Sequence, residues 1–181
     1  MHLKPSEAQR SVLNGLKAHV LGVMSSMPEW KAINLGALER VPLGVLRSGT
    51  LRRHGVTRWQ AGTTRDNVST ASVSVIDLHA RLLEARWQAY AAHVLHHEYI
   101  HAAGHRPHDA AFRRWEAAWP HPGSNDASAF AACLHEQRVR WWWTCQACDR
   151  RHGRLRRGNG RYACRRCGSV LVDRPAEVEG R

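Results

Sequence analysis

The chain has 181 residues, of which 43% are hydrophobic, and its net charge is +12 at pH 7. This length suits one main domain with a small appendage, and the excess of basic residues indicates a polyanionic partner such as nucleic acid. Lys17, His19 and Gly22 interrupt the apolar stretch near the N-terminus, and no apolar run is long enough to cross a bilayer. We therefore expect no signal peptide, no membrane partner and a cytoplasmic location.

The first fifty residues predict a long helix followed by loops. Ser6 and Gln9 have the spacing of a capping box, and apolar residues recur at helical intervals after them. This pattern predicts a helix over residues 6–25. Prolines and glycines interrupt residues 26–50, so we expect loops there, around one short helix near residues 35–40.

Two strands are predicted before the next long helix. Residues 50–60 are basic without a clear period, and they predict a strand or a hairpin. Residues 71–76 alternate small polar with apolar side chains, which is a strand pattern. Asp77 follows, and we expect it to cap a short helix that ends at Leu83. A few strands followed by helices predict an α+β fold.

The next segment carries the most informative motif, His97-Glu98-Tyr99-Ile100-His101. It lies in a largely apolar stretch with few helix breakers, which predicts a helix over residues 86–103. Residues four apart lie about 40° apart around a helix axis, so the two histidines can bind one metal ion from the same face. This is the His-Glu-x-x-His arrangement of zinc hydrolases, in which the glutamate is the general base for a water molecule.

A third metal ligand is needed, and two histidines compete for that role. His105 continues the four-residue spacing, but three histidines on one straight helix would span about 12 Å, too far for one ion. Gly104 and Pro107 predict a break and a turn after the helix. His108 lies beyond that turn and can fold back toward the metal. We therefore favour His108, with His105 as the alternative.

The neighbouring residues predict packing and a further helix. Glu116 is a weaker candidate for the third ligand, since some zinc hydrolases of this type use a carboxylate. His93 and His96 are interpreted as packing or surface residues. Asp109 has the position of an N-cap for a new helix. The apolar face of this helix comprises Phe112, Trp115 and Trp119, and Pro120 marks its end.

The C-terminal part carries a second metal-binding pattern. Residues 127–138 predict a helix in which Cys133 is a small buried apolar residue. Two Cys-x-x-Cys pairs then follow, fifteen residues apart, which is the spacing of a zinc ribbon. A structural zinc ion would replace the core that a segment of about forty residues cannot build. The predicted ligands are Cys145, Cys148, Cys164 and Cys167.

Positive charge is concentrated in this ribbon. Residues 138–181 contain twelve arginines and four acidic residues, a net charge of +8. Arginine makes forked contacts with phosphate, and aromatic rings stack on bases, so we expect sequence-independent DNA binding, including binding to single strands. The predicted DNA contacts are Arg150, Arg151, Arg154, Arg156, Arg157, Arg161, Arg165, Arg166, Trp142 and Tyr162.

These two motifs, in this order, resemble the SprT-like family of zinc metallopeptidases, which includes the eukaryotic Spartan proteases. The resemblance runs from about residue 73 to residue 171, and Phe112 lies four residues after His108 as in the family pattern. The family's usual Gly-His-Gly is Pro107-His108-Asp109 here. The resemblance implies a small zincin-like core and cleavage of proteins bound or crosslinked to DNA, with DNA as activator.

The sequence therefore predicts a zinc endopeptidase with one catalytic and one structural zinc ion. Its substrates would be proteins on DNA, which implies association with the nucleoid and a role in the repair of DNA–protein crosslinks. We place the peptidase domain at residues 1–138, the ribbon at 139–173 and a disordered tail at 174–181. Two alternatives remain: a non-catalytic zinc-containing DNA-binding protein, and a zinc hydrolase with another class of substrate.

Overall fold

The computed structural model describes residues 4–47, 49–64, 67–121 and 124–176. The chain divides into two compact units, residues 1–128 and 129–181, whereas the sequence placed the boundary at residue 138. The described residues form five helices and two three-stranded sheets, which confirms the α+β class. Within these ranges, no helix has the length and apolarity that crossing a bilayer requires.

The two N-terminal helices are confirmed. α1 (Glu7–Ser25) begins with the predicted capping box: Gln9 N–H donates to the Ser6 hydroxyl at 3.2 Å, and Ser6 N–H donates to Gln9 Oε1 at 2.9 Å. α2 (Leu35–Glu39) is capped by Asn34. The side chains that α1 buries are Leu13, Leu16, Val20 and Met24.

The first unit contains a sheet of β1 (Leu43–Leu46), β2 (Gly55–Trp59) and β3 (Val73–His79), in the order β1-β3-β2. β1 is parallel to β3, and β2 is antiparallel to it. The sequence predicted loops where β1 lies, and this was wrong. β1 has only four residues and contains a glycine, so its pairing with β3 rather than its own pattern makes it a strand.

Asp77 belongs to β3 rather than capping a helix. Its side chain is fully buried, and its carboxylate forms an ion pair with Nε of Arg58 on the neighbouring strand at 2.5 Å. The short 3₁₀ helix that follows, Ala80–Leu83, is instead capped by His79, whose Nδ1 accepts from Arg81 N–H at 3.2 Å. A partner across the sheet has overridden the local capping preference of aspartate.

The motif lies on α3 (Gln88–Ala102), which packs against α1, β2 and β3. Gly104 follows it with a φ of 107°, a conformation that favours glycine, so the predicted break is confirmed. α4 (Ala110–Ala117) is capped as predicted, because Phe112 N–H donates to Oδ1 of Asp109 at 2.9 Å. Phe112 and Trp119 are buried, and Trp115 is partly buried.

The second unit contains β4 (Trp141–Cys145), β5 (Arg151–Arg154) and β6 (Leu171–Pro175) in the antiparallel order β5-β4-β6. The predicted disordered tail begins too early, since residues 174 and 175 pair with β4; residues 177–181 lie outside the described ranges. The boundary between the units falls within α5 (Ser124–Glu136). Cys133 on α5 is partly exposed, so its predicted burial was wrong.

Candidate functional site

Three histidines converge on one point in the first unit. Nε2 of His108 lies 3.2 Å from Nε2 of His97 and 3.1 Å from Nε2 of His101. A zinc ion with Zn–N bonds of about 2.1 Å separates tetrahedral ligand atoms by about 3.4 Å. The three nitrogens are therefore spaced as the ligands of one small metal ion, and this group could hold such an ion.

The outer nitrogens of the two helical histidines have acceptors. Nδ1 of His97 lies 2.7 Å from Oε1 of Glu116, and Nδ1 of His101 lies 2.8 Å from the backbone oxygen of His105. Both Nδ1 atoms must then carry the proton, which leaves Nε2 free to bind a metal. Burial also lowers the pKa of His101 to about 4, so its imidazole is neutral at pH 7.

The two alternative ligands lie outside the cluster. His105 contributes a backbone carbonyl to His101, while its own ring packs at 4.8 Å from the ring of Trp115. Glu116 orients His97 rather than joining the three nitrogens, and the hydrogen bond from His97 lowers the pKa of that carboxylate. The structure therefore brings together His108, not His105, with the two histidines of the motif.

Glu98 is buried beside this cluster and is held by the edge of the sheet. The Thr57 hydroxyl on β2 lies 2.7 Å from Oε2 of Glu98 and 3.1 Å from its backbone oxygen. Burial raises the pKa of Glu98, and the hydrogen bond from Thr57 opposes that rise. A carboxylate whose pKa is raised toward neutrality is suited to accept and return a proton.

Gly55 leaves the space that Glu98 occupies. A Cβ atom at residue 55 would lie 2.7 Å from Oε1 of Glu98 and 2.8 Å from Cγ1 of Val94. We expect Gly55→Ala to displace the carboxylate and lower the rate of any reaction that uses Glu98 as a base about 100-fold, because misplacing a reacting group by about 1 Å has costs of that size. Steady-state kinetics together with zinc content measure this, and zinc binding should be unchanged.

Gly49→Ala is the matched control for this prediction, because a Cβ at Gly49 meets no atom within 4 Å. An unchanged reaction rate in Gly55→Ala would contradict the prediction that the position of the Glu98 carboxylate matters.

A cavity of about 430 Å³ connects these groups. The three clustered histidines, Glu98 and residues of β2 line it together, so a bound molecule would contact the metal site and the carboxylate at once. β2 lies at the edge of the sheet and forms one wall. The other lining residues include Arg53, Trp59 and Arg106.

His96 and His93 were interpreted as packing or surface residues, and they differ in how deeply they are buried. His96 is fully buried, accepts a hydrogen bond from Trp30 Nε1 at 3.2 Å, and stacks on Trp119 at 4.7 Å. Burial lowers its pKa to about 3, so the ring is neutral. His93 is partly buried and stacks on Tyr90. His96 thus fixes α3 between the segment after α1 and the end of α4.

The four predicted cysteines also form one cluster, in the second unit, and this cluster too could hold a metal ion. Three sulfur pairs lie 3.3 to 3.8 Å apart, close to the separation of about 3.8 Å expected for thiolates bound to one zinc ion and far from a disulfide. Hydrogen bonds donated to its sulfur by the backbone and side chain of Ser169 lower the pKa of Cys167 to about 6, which favours the thiolate.

The ribbon has almost no other core, since its buried cluster is Cys145, Cys164 and Leu171 with Trp143 and Cys148 against it. We therefore expect Cys164→Ser to unfold the ribbon, because folding of such a unit depends on the metal. Amide exchange of the ribbon measures this. Val170→Ser, a substitution at a side chain that is 57% exposed, is the control and should stay folded. A ribbon that stays folded without metal would contradict the prediction.

Of the predicted DNA contacts, the eight arginines and Tyr162 are exposed on the ribbon, whereas Trp142 is partly buried. Within the described ranges none of these arginines forms an ion pair with a carboxylate, so their charges remain available. Three arginines lie over tryptophan rings: Arg157 over Trp141, Arg151 over Trp142 and Arg154 over Trp143. Trp143 also stacks on Tyr162 at 4.3 Å, leaving Tyr162 half-exposed.

The sequence missed three residues that shape the site. Thr57 and Gly55 come from a strand that is distant in sequence from the motif, and nothing in its pattern indicates contact with Glu98. Glu116 was considered only as a ligand. The four-residue spacing of Phe112 and Glu116 on α4 indicates that both lie on one helix face, and this face is turned toward His97. That spacing could have indicated that Glu116 accepts a hydrogen bond from His97.

We compared the chain with models of protein families, with curated proteins and with solved structures, and none of them matches it. The assignment of this site therefore depends on its own residues and their geometry.

Proposed function

We propose that this protein is a zinc metalloendopeptidase that cleaves proteins bound or crosslinked to DNA. One observation carries the proposal: Nε2 of His108 lies within 3.2 Å of the Nε2 atoms of both His97 and His101, and Glu98 lines the same cavity. A structural metal site has no need of a buried carboxylate beside it. The core is interpreted as zincin-like on these grounds.

Zinc, when bound by the three histidines, would polarise the scissile carbonyl and lower the pKa of the attacking water. Residues of the chain transfer the proton and hold the reacting groups in position. Glu98 accepts the proton of the water and delivers it to the leaving amine. Thr57 and Gly55 fix the position of that carboxylate, and Glu116 keeps His97 in the tautomer that binds a metal.

The edge of the sheet supports a peptide substrate. Among the described strands β2 pairs only with β3, so its other edge is open toward the cavity. An extended peptide can add to such an edge through main-chain hydrogen bonds, which bind a backbone without selecting its sequence. This geometry favours an endopeptidase with weak side-chain specificity at most positions.

The second unit supports the DNA part of the proposal. The ribbon carries eight exposed arginines, three of which lie over tryptophan rings. A cavity of about 460 Å³ is lined by Trp143, Tyr162, Arg154 and Arg165 among others. Guanidinium groups bind phosphates, and an aromatic platform accepts a base from a single strand. The metal that the four cysteines would hold is structural, and zinc fits their thiolate set.

The test is a cleavage assay with zinc-loaded protein and a basic DNA-binding substrate, with single-stranded, double-stranded or no DNA. We expect fragments only when DNA is present, and a strong decrease at higher salt, because phosphate contacts release counterions. Cleavage that is indifferent to DNA would keep the peptidase and reject DNA targeting. Tight DNA binding without any cleavage would favour a non-catalytic DNA-binding protein.

A further inference from the structure

A second cavity, of about 580 Å³, adjoins the metal site on the side of α4. It shares Arg53, Gly55, His97 and Glu98 with the cavity that contains the three histidines, so the two form neighbouring parts of one cleft. Tyr90, Val94 and Ala117 form part of its lining. A substrate that places a peptide bond beside Glu98 would therefore direct a neighbouring side chain into this cavity.

Arginines outnumber acidic residues in the described lining of this cavity, three to two. Arg52, Arg53 and Arg113 line it, all three are exposed, and within the described ranges none of them forms an ion pair with a carboxylate. Among the described residues that line it, the acidic ones are Glu98 and Glu116, which are hydrogen-bonded to Thr57 and His97 respectively. Asp126 lies outside the lining but close enough for its charge to raise the pKa of Tyr90. A carboxylate of the substrate could therefore pair with three guanidinium groups that form no ion pair within the described ranges.

We propose that this cavity is a substrate subsite that selects an acidic side chain next to the scissile bond. The inference rests on the proposed peptidase function and adds a specificity to it. Arginine recognises a carboxylate by two parallel hydrogen bonds, which gives selectivity for Asp or Glu over their amides. An acidic residue in an otherwise basic substrate would then mark the position of cleavage.

A DNA phosphate is a less suitable guest. The cavity contains buried apolar side chains, Tyr90 and Val94, and it opens beside the catalytic carboxylate, where the peptide has to lie. The ribbon carries its own arginines and aromatic rings for nucleic acid. The cavity arginines therefore act on the substrate protein.

The test separates binding from cleavage. Zinc-loaded Glu98→Gln protein is titrated with fluorescent decapeptides that carry Glu, Gln or Lys at each position in turn, and anisotropy gives the affinity. We expect Glu at one position to bind at least tenfold more tightly than Gln. In the double variant Arg52→Gln/Arg113→Gln this ratio should fall to within twofold. Arg40→Gln/Arg114→Gln removes the same charge from exposed residues outside the cavity, and it should keep the preference.

The outcomes distinguish the subsite from the peptidase. Equal affinity for the Glu and Gln peptides, or no peptide binding, would overturn the subsite. A preference for Glu that survives in the double variant would overturn the subsite as well. So would a double variant that loses oligonucleotide binding but keeps its peptide preference. Cleavage of the same peptides by the native chain is measured in parallel, with single- or double-stranded DNA present. Glu-selective binding without cleavage would support the subsite and reject the peptidase. Cleavage without a preference for an acidic residue would support the peptidase and reject the subsite.

Discussion

Replacing Glu98 with glutamine should lower peptide hydrolysis about a thousandfold, while both metal sites stay filled. Glutamine has nearly the same shape and can still bond to the Thr57 hydroxyl, but it cannot accept the proton of an attacking water. General acid–base catalysis contributes about 10² to 10⁴ in rate, which sets the size of the expected loss. Zinc content, DNA affinity and turnover are measured on one preparation.

Glu136→Gln is the control for this variant, because Glu136 is an exposed residue at the end of α5. It should leave turnover unchanged. Hydrolysis that persists in Glu98→Gln, with the control behaving normally, would remove the catalytic role of the carboxylate. A loss of zinc in Glu98→Gln would instead show that Glu98 supports the metal site rather than the chemistry.

Replacing His108 with alanine should lower the zinc content from two ions to one per chain and abolish hydrolysis. Nε2 of His108 lies within 3.2 Å of both helical Nε2 atoms, so its removal leaves a two-nitrogen site. The loss of affinity should exceed the 10–100-fold that is typical when a residue that only orients a ligand is removed. Equilibrium dialysis against a zinc chelator measures it.

His105→Ala is the matched control, since His105 competes for the same role by sequence. Its contact with His101 is made by the backbone oxygen, which alanine also provides. We expect the zinc content and most of the activity to remain. Loss of zinc in His105→Ala with retention in His108→Ala would contradict the arrangement of the three nitrogens.

The local parts of this site could be predicted from the sequence. The spacing of His97 and His101 puts them on one helix face, and Gly104 breaks the helix so that His108 can return. Asp109 caps the next helix and fixes where that return ends. Each of these features follows from local geometry, which a sequence pattern reports directly.

The parts that depend on tertiary contacts could not be predicted. Asp77 has the local pattern of a helix cap, but its partner Arg58 on another strand keeps it in the sheet. β1 is too short for its sequence pattern to indicate a strand, and its pairing with β3 makes it one. Gly55 looks like any glycine in a basic segment until Glu98 is seen to occupy the space beside it.

The most direct test of the central claim is zinc-dependent hydrolysis in ¹⁸O-labelled water, with zinc counted in the same sample. The account predicts two zinc ions per chain and substrate fragments whose new carboxyl groups carry ¹⁸O. The same fragments should be lost when the histidine site alone is emptied by His108→Ala. Two zinc ions per chain with no labelled fragments from any DNA-bound substrate would contradict the account and make the histidine site structural.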